Sequence, residues 1–189
     1  MDLRKSRYFM LGAALPATIK MGKVYLWTGN GWGKTTSALG AGLRAMGQGY
    51  KVVVIQFMKG WGDKIGEYKI RKKLKLYEIH QFGRKGWVDL KKPTAKDKEL
   101  AEKGLEFAYT VLKKKPFLLI LDEINLAVKI GLLSEKEVIK FLHSVPAKTT
   151  VYLTGRGASA GLRKRADYVN EIKMLKGPKK LTGEKGIDY

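Results

Sequence analysis

The sequence predicts an α/β fold, a single domain built on one parallel β-sheet with helices on both faces. Three observations carry this. Strand-like apolar runs alternate with helix-like segments along the chain, as in sheets joined by crossover helices. Two of the runs, Lys51 to Phe57 (KVVVIQF) and Phe117 to Leu121 (FLLIL), are almost continuously apolar, which suits strands buried on both faces. Polar residues cluster just after several strands, where such sheets place their ligands. At 189 residues and 44% apolar content, the chain can bury one sizeable core and is globular.

In order, Lys23 to Thr28 is the first strand, and Lys34 to Met46 a helix closed by Gly47 and Gly49. Lys51 to Phe57 is a strand, Met58 to Gly66 a glycine-rich loop, and Glu67 to Lys73 a short helix. Leu76 to Phe82 alternates as a strand, and Gly83 to Lys92 is a loop with one aromatic, Trp87. Pro93 and Thr94 open a long helix with Asp97 at the capping-box position. Its apolar face is Leu100, Ala101, Leu105, Ala108 and Leu112. After Phe117 to Leu121, Ser134 and Glu137 cap a helix carrying Val138, Phe141 and Leu142. Thr150 to Leu153 is a strand, a short helix follows, and Tyr168 to Leu175 is the last strand. The main unit is therefore expected over 21–175, with a Gly/Lys-rich tail over 176–189.

The segment Thr28-Gly29-Asn30-Gly31-Trp32-Gly33-Lys34-Thr35-Thr36 joins the first strand to the first helix. Glycines let backbone N–H groups turn onto phosphate oxygens, Lys34 adds a point charge, and the Thr35 hydroxyl is suited to Mg²⁺. The expected ligand is a nucleoside triphosphate, which makes the fold a RecA-like P-loop nucleotide-binding fold. One departure from G-x-x-x-x-G-K-[ST] is Thr28, where that pattern has glycine.

The FLLIL run ends in Asp122-Glu123. A carboxylate at the end of a buried strand, downstream of a phosphate loop, is a Mg²⁺ contact, although Asp is also a good helix cap. Either Asp122 or Glu123 can supply the metal contact. Arg156, after the Thr150 to Leu153 strand, is a fork donor for phosphate.

The chain has no cysteine and only two histidines, His80 and His143. That excludes disulfides, thiolate nucleophiles and Cys-based zinc sites, and points to a reducing cytoplasm. The net charge of +21 is spread along the chain without an arginine-rich block. It reads as a lysine-rich solvated surface, and no nucleic-acid partner is expected. Residues 1–20 place Arg4, Lys5 and Arg7 before an apolar stretch, Tyr8 to Ala17. This has the outline of a short signal peptide but is too short to span a bilayer as a helix. It is expected to be an arm over the active site or a neighbouring subunit, with no membrane attachment.

The ordered set of Thr28-Gly29-Asn30-Gly31-x-Gly33-Lys34-Thr35-Thr36, Val54-Ile55-Gln56-Phe57-x-Lys59-Gly60, Gly66-Glu67, Leu121-Asp122-Glu123-Ile124-Asn125, Leu153-Thr154-Gly155-Arg156, Ala166-Asp167 and Glu184-Lys185-Gly186-Ile187 resembles the P-loop ATP:corrinoid adenosyltransferases. The resemblance runs from about Gly22 to Tyr189 and includes Thr28. It implies that the cobalt(I) of a corrinoid such as cob(I)alamin attacks C5′ of ATP and displaces triphosphate. The residues from Thr28 to Thr36, with Arg156, would bind ATP. Lys34 and Glu123 would be catalytic, and Thr35, Asp122 and Glu123 would hold Mg²⁺. Trp87 and Glu67 would meet the corrinoid. In that family aromatics near the corrin displace the lower axial ligand, which makes reduction to cobalt(I) feasible. Here Val88 and Asp89 stand where a second aromatic is expected, and Trp87 reads equally as a cover for the core edge. The resemblance further implies a homodimer and a reductase or flavoprotein as electron donor. A thymidine-kinase-type small-molecule kinase and a nucleic-acid-stimulated RecA-like ATPase share the phosphate loop and the strand-Asp-Glu layout. The former commonly carries a Cys-rich zinc element that this chain lacks.

Overall fold

The computed structural model describes residues 21–177 and 183–187. The expected arm over 1–20 lies outside the described residues, as does part of the tail. Six strands form one sheet: β1 (Val24–Thr28), β2 (Val52–Phe57), β3 (Tyr77–Phe82), β4 (Leu118–Asp122), β5 (Thr150–Leu153) and β6 (Tyr168–Glu171). Their spatial order is β3-β2-β4-β5-β1-β6, and all five pairings are parallel. β5 therefore separates β1 from β4. The helices are α1 (Lys34–Gly47), α2 (Gly66–Ile70), α3 (Ala95–Lys113), α4 (Ile124–Lys129), α5 (Glu135–His143) and α6 (Ala160–Arg165).

The continuous apolar strands have a reason: helices take both of their faces. On β2, Val52 and Val54 join Ala38 and Ala45 of α1 with Leu118 and Ile120. Val53, Ile55 and Phe57 point the other way, into a larger core with Ala101, Leu105 and Ala108 of α3 and Phe141 and Leu142 of α5. α3 starts as its sequence requires. Thr94 accepts from the Asp97 amide and Asp97 accepts from the Thr94 amide, a closed capping box. Ser134 does occupy the cap position of α5, but its side chain makes no capping bond. There Glu135 instead reaches Ser159 and the Gly161 amide at the start of α6.

Two elements depart from expectation. α4 was not anticipated, because six residues are too few to show a helical period. The last strand ends at Glu171 rather than Leu175. Its partner β1 runs out at Thr28, and the chain beyond turns to support the phosphate loop: the Ile172 amide donates to the Thr28 carbonyl (2.9 Å), and the Ile172 carbonyl accepts from the Gly31 amide (2.8 Å). Over β5, β1 and β6, Tyr25, Trp27, Tyr152 and Tyr168 pack ring to ring. No helix among the described residues is long and apolar enough to cross a membrane.

Candidate active site

The expected site residues come from strand ends and gather at the carboxyl edge of the sheet. The loop from Gly29 to Gly33 leaves β1 and enters α1 through Gly33, in the left-handed region at φ 94°. Its glycines also meet a packing requirement. A Cβ on Gly29 would lie 2.3 Å from the Ile172 carbonyl, and one on Gly31 would lie 2.8 Å from Ile172 and Lys173. These two are glycines because the segment after β6 passes against them. Only at Gly33 is the space beside the backbone open, and there the first amides of α1 lack intrahelical partners. Thr28 is buried and its hydroxyl accepts from the Ala158 amide at 3.1 Å. The non-glycine residue thus ties the loop's root to the approach of α6. The Asn30 side chain accepts from the Met174 amide at 3.2 Å. Trp32 is exposed and lines a cavity of about 380 Å³ with Lys173, Met174, Leu175, Lys176 and Gly177. Thr36 is exposed on the first turn of α1.

Lys34 is buried and donates to the Gly31 carbonyl. Burial lowers its pKa, and the nearby Arg156 charge adds to that, against the pull of Glu123 and Asp122. An ammonium so placed gains when an anion arrives. Thr35 donates its hydroxyl to Asp122 Oδ1 at 2.8 Å. Asp122 is wholly buried and takes three further donors: Thr154 Oγ1 at 2.6 Å, Lys59 Nζ at 2.8 Å and Gln56 Nε2 at 3.3 Å. Burial alone would raise its pKa, but Lys59 and the hydroxyls hold it below the usual value. Asp122 stays ionised.

Glu123 follows with its backbone in the left-handed region, φ 64°. Its amide donates to Thr154 Oγ1 at 3.0 Å, while its Oε2 is buried with no hydrogen-bond partner among the described residues. Burial, and then the Asp122 charge, raise its pKa. Two adjacent carboxylates are thus driven apart, one bonded on both oxygens, the other with its Oε2 unpartnered among the described residues. Asn125 closes this corner, donating to the Trp27 carbonyl at 3.0 Å and the Gly155 carbonyl at 3.3 Å. Arg156 is exposed just beyond, and its charge acts on both Lys34 and Glu123.

The loops after β2 and β3 form a second part of the rim. Gly60 lies against Gly83 and Arg84, where a Cβ would sit 2.3 Å from the Gly83 carbonyl. Trp87 is 86% exposed, so it does not cover the core edge. Its ring meets Trp61 edge-on at 5.9 Å. Glu67 accepts from Gln56 Nε2 at 3.0 Å. His80 lies within β3, its ring 4.5 Å from Phe107. Lys59, Gln56 and Trp61 carry no site role in the sequence reading, and Thr154 stands there only among the polar residues that follow strands. The polar Gln56 inside an apolar strand, with Lys59 three residues on, was the available signal.

Comparison with known proteins gives the chain's family. The family described as ATP:corrinoid adenosyltransferase BtuR/CobO/CobP matches residues 20–189. The chain belongs to this family. It is 33% identical to a corrinoid adenosyltransferase of Pseudomonas aeruginosa, across 89% of this chain and 84% of that one. A corrinoid adenosyltransferase of Escherichia coli is 32% identical over 89% and 86% of the two chains. One of Salmonella typhimurium is also 32% identical, over 89% and 86%. Among solved structures, a KaiC-like protein of Pyrococcus horikoshii OT3 superposes with TM-score 0.53 at 18% identity, over 84% of this chain and 75% of that chain. That likeness concerns the fold alone. Neither a thymidine-kinase-type kinase nor a nucleic-acid ATPase is favoured by these adenosyltransferase relatives.

Proposed function

We propose that this ATP:corrinoid adenosyltransferase transfers the 5′-deoxyadenosyl group of ATP to the cobalt(I) of a corrinoid. The cobalt(I) electron pair forms the Co–C5′ bond, the C5′–O5′ bond breaks, and triphosphate leaves with that bonding pair. No proton moves at the reacting carbon. The observation that carries the reading is the convergence of Lys34, Thr35, Asp122 and Glu123 at the carboxyl edge of the sheet, in a chain with no cysteine nucleophile. Such a site positions a triphosphate and answers its charge, leaving nucleophilicity to the other substrate.

Lys34 turns from the Gly31 carbonyl to the phosphates and holds charge on the leaving group. Thr28, Gly29, Asn30, Gly31 and Trp32 shape the loop, Gly33, Lys34, Thr35 and Thr36 face the phosphates at its end, and Arg156 closes over them. The Thr35 hydroxyl and Asp122 are hard oxygen donors on adjoining elements, and the unpartnered Glu123 oxygen is a third, so the set fits Mg²⁺. Bound there, Mg²⁺ would add positive charge beside the phosphates. Trp61 supplies the second aromatic missing from the Gly83 to Lys92 loop, and with Trp87 gives the corrinoid an apolar edge. Glu67 supports this rim from beneath through Gln56. We further propose a cytoplasmic homodimer served by a reductase or flavoprotein.

The test is to incubate the protein with ATP, Mg²⁺ and chemically reduced corrinoid and identify the phosphate product. Triphosphate supports adenosyl transfer; ADP or free phosphate would replace it with a kinase or an ATPase.

A further inference from the structure

Asp122 has no spare capacity. A carboxylate offers about four lone-pair sites, and four donors already use them: Thr35 and Thr154 on Oδ1, Lys59 and Gln56 on Oδ2. Among these only Lys59 carries a charge. A divalent cation approaching this carboxylate must displace a donor, and the ammonium is the one it repels. Lys59 also has somewhere to go. Its Nζ is already 3.8 Å from Glu67 Oε1. Gln56 Nε2 spans the same two carboxylates, 3.0 Å from Glu67 and 3.3 Å from Asp122. Gln81 donates to Gln56 Oε1 at 2.9 Å and fixes that amide's orientation. Lys59 stands on a loop whose preceding residue, Met58, is in the left-handed region at φ 58°.

We propose that Lys59 is a resident counter-ion for Asp122, which yields its place to Mg²⁺ when the metal binds and moves to Glu67 as its second anchor. This rests on the Mg²⁺ reading given above. The exchange keeps the buried Asp122 charge compensated at every stage. Without it, the metal-free protein would hold an unpaired buried carboxylate, which is strongly unfavourable. Lys59 is thus a positioning residue, and Glu67 acts through it.

The experiment is thermal melting of the full chain at fixed, saturating ATP, across a series of free Mg²⁺ concentrations beginning in EDTA. Lys59→Met should melt lower than the parent in EDTA and recover most of that loss in Mg²⁺. Its half-effect should come at lower Mg²⁺, by roughly fivefold or more, the low end of typical site-to-site coupling. Glu67→Gln leaves the Lys59–Asp122 pair intact but removes the second anchor, so its half-effect should move to higher Mg²⁺ by a similar factor. Opposite shifts in the two variants are the signature of exchange. A Lys59→Met loss that persists at saturating Mg²⁺, with both half-effects unmoved, marks a purely structural ion pair and overturns the proposal. Should Lys59→Met not fold, an unmoved half-effect in Glu67→Gln overturns it alone. A parent protein whose melting ignores Mg²⁺ overturns both the exchange and the metal reading beneath it.

Discussion

The two halves of the rim are built on opposite principles. Between β1, β4 and β5, polar groups are buried and bonded to one another: Asp122 takes four donors and Thr154 serves both Asp122 and the Glu123 amide. Above β2 and β3, two indole rings meet at an exposed loop edge and Trp87 is almost wholly in solvent. A polyanion is gripped well by charges set in advance, because the site need not reorganise as charge develops. A large flat ring needs apolar area, which is made by covering rings that stand exposed beforehand. Damage to the first half should therefore appear in chemistry and stability, and damage to the second in the handling of the corrinoid.

The largest separation is expected from Lys34→Ala, which should lower the adenosylation rate by about 10²–10³ at saturating ATP. Turnover near the parent value would remove the phosphate loop from the reaction. Asp122→Asn comes next. It breaks the charged pair with Lys59, which keeps Glu67 nearby, so a loss of about 1–3 kcal/mol is expected in metal-free denaturant unfolding, together with a higher Mg²⁺ requirement. A stable variant with unchanged Mg²⁺ dependence would make Glu123 the metal contact.

On the other half, Trp87→Ala and Trp61→Ala should each lose about 10–100-fold when a mild biological reductant must generate cobalt(I). Much less should be lost with corrinoid reduced chemically beforehand, or with cobinamide, which lacks the attached nucleotide base. Stability of Trp87→Ala should change by no more than about 0.5 kcal/mol, because the ring is exposed. Equal losses in all three assays would end the ligand-displacement reading. Thr94→Ala tests what anchors this loop: Asp97 accepts from Thr94 and also from Arg84 Nε at 2.8 Å. About 1 kcal/mol of stability should go with the cap, with phosphate chemistry intact.

The smallest effect belongs to Glu123. Its folded pKa is raised by burial and by Asp122, so the unfolded chain ionises first. The fold is penalised as pH rises above the unfolded value, about 4.3, and the penalty is complete above the raised folded value. Melting curves of Glu123→Gln should show a gain over the parent at neutral pH that disappears below about pH 4. A gain constant with pH would mean that the charge is not its source.

The contrast also marks what could be read from the sequence. The phosphate loop and Asp122-Glu123 were legible because each is a local signal: a glycine pattern at a strand–helix junction, and acids ending an apolar run. The capping box at Thr94 and Asp97 was legible for the same reason. Lys59, Gln56 and Trp61 take their meaning from partners distant in sequence, such as Asp122 and Trp87, that only strand order brings near. The same holds for Gly29 and Gly31, whose need is the passage of Ile172. β6 was overextended because its apolar residues continue past the point where β1 has bonds to offer.

The strand order has a consequence for how the protein is made. β1 precedes the other five described strands in the chain, yet its neighbours are β5 and β6, more than a hundred positions later. β2, β3 and β4 pair among themselves and can assemble while synthesis continues. The phosphate loop must wait for both late strands, and for Ile172 to brace Gly31. Closing so long a loop is slow. A nascent chain stopped before Tyr168 should therefore have much of its core and no grip on nucleotide. Competence to bind ATP should thus arrive only once the chain has been made through Ile172, later than most of the core.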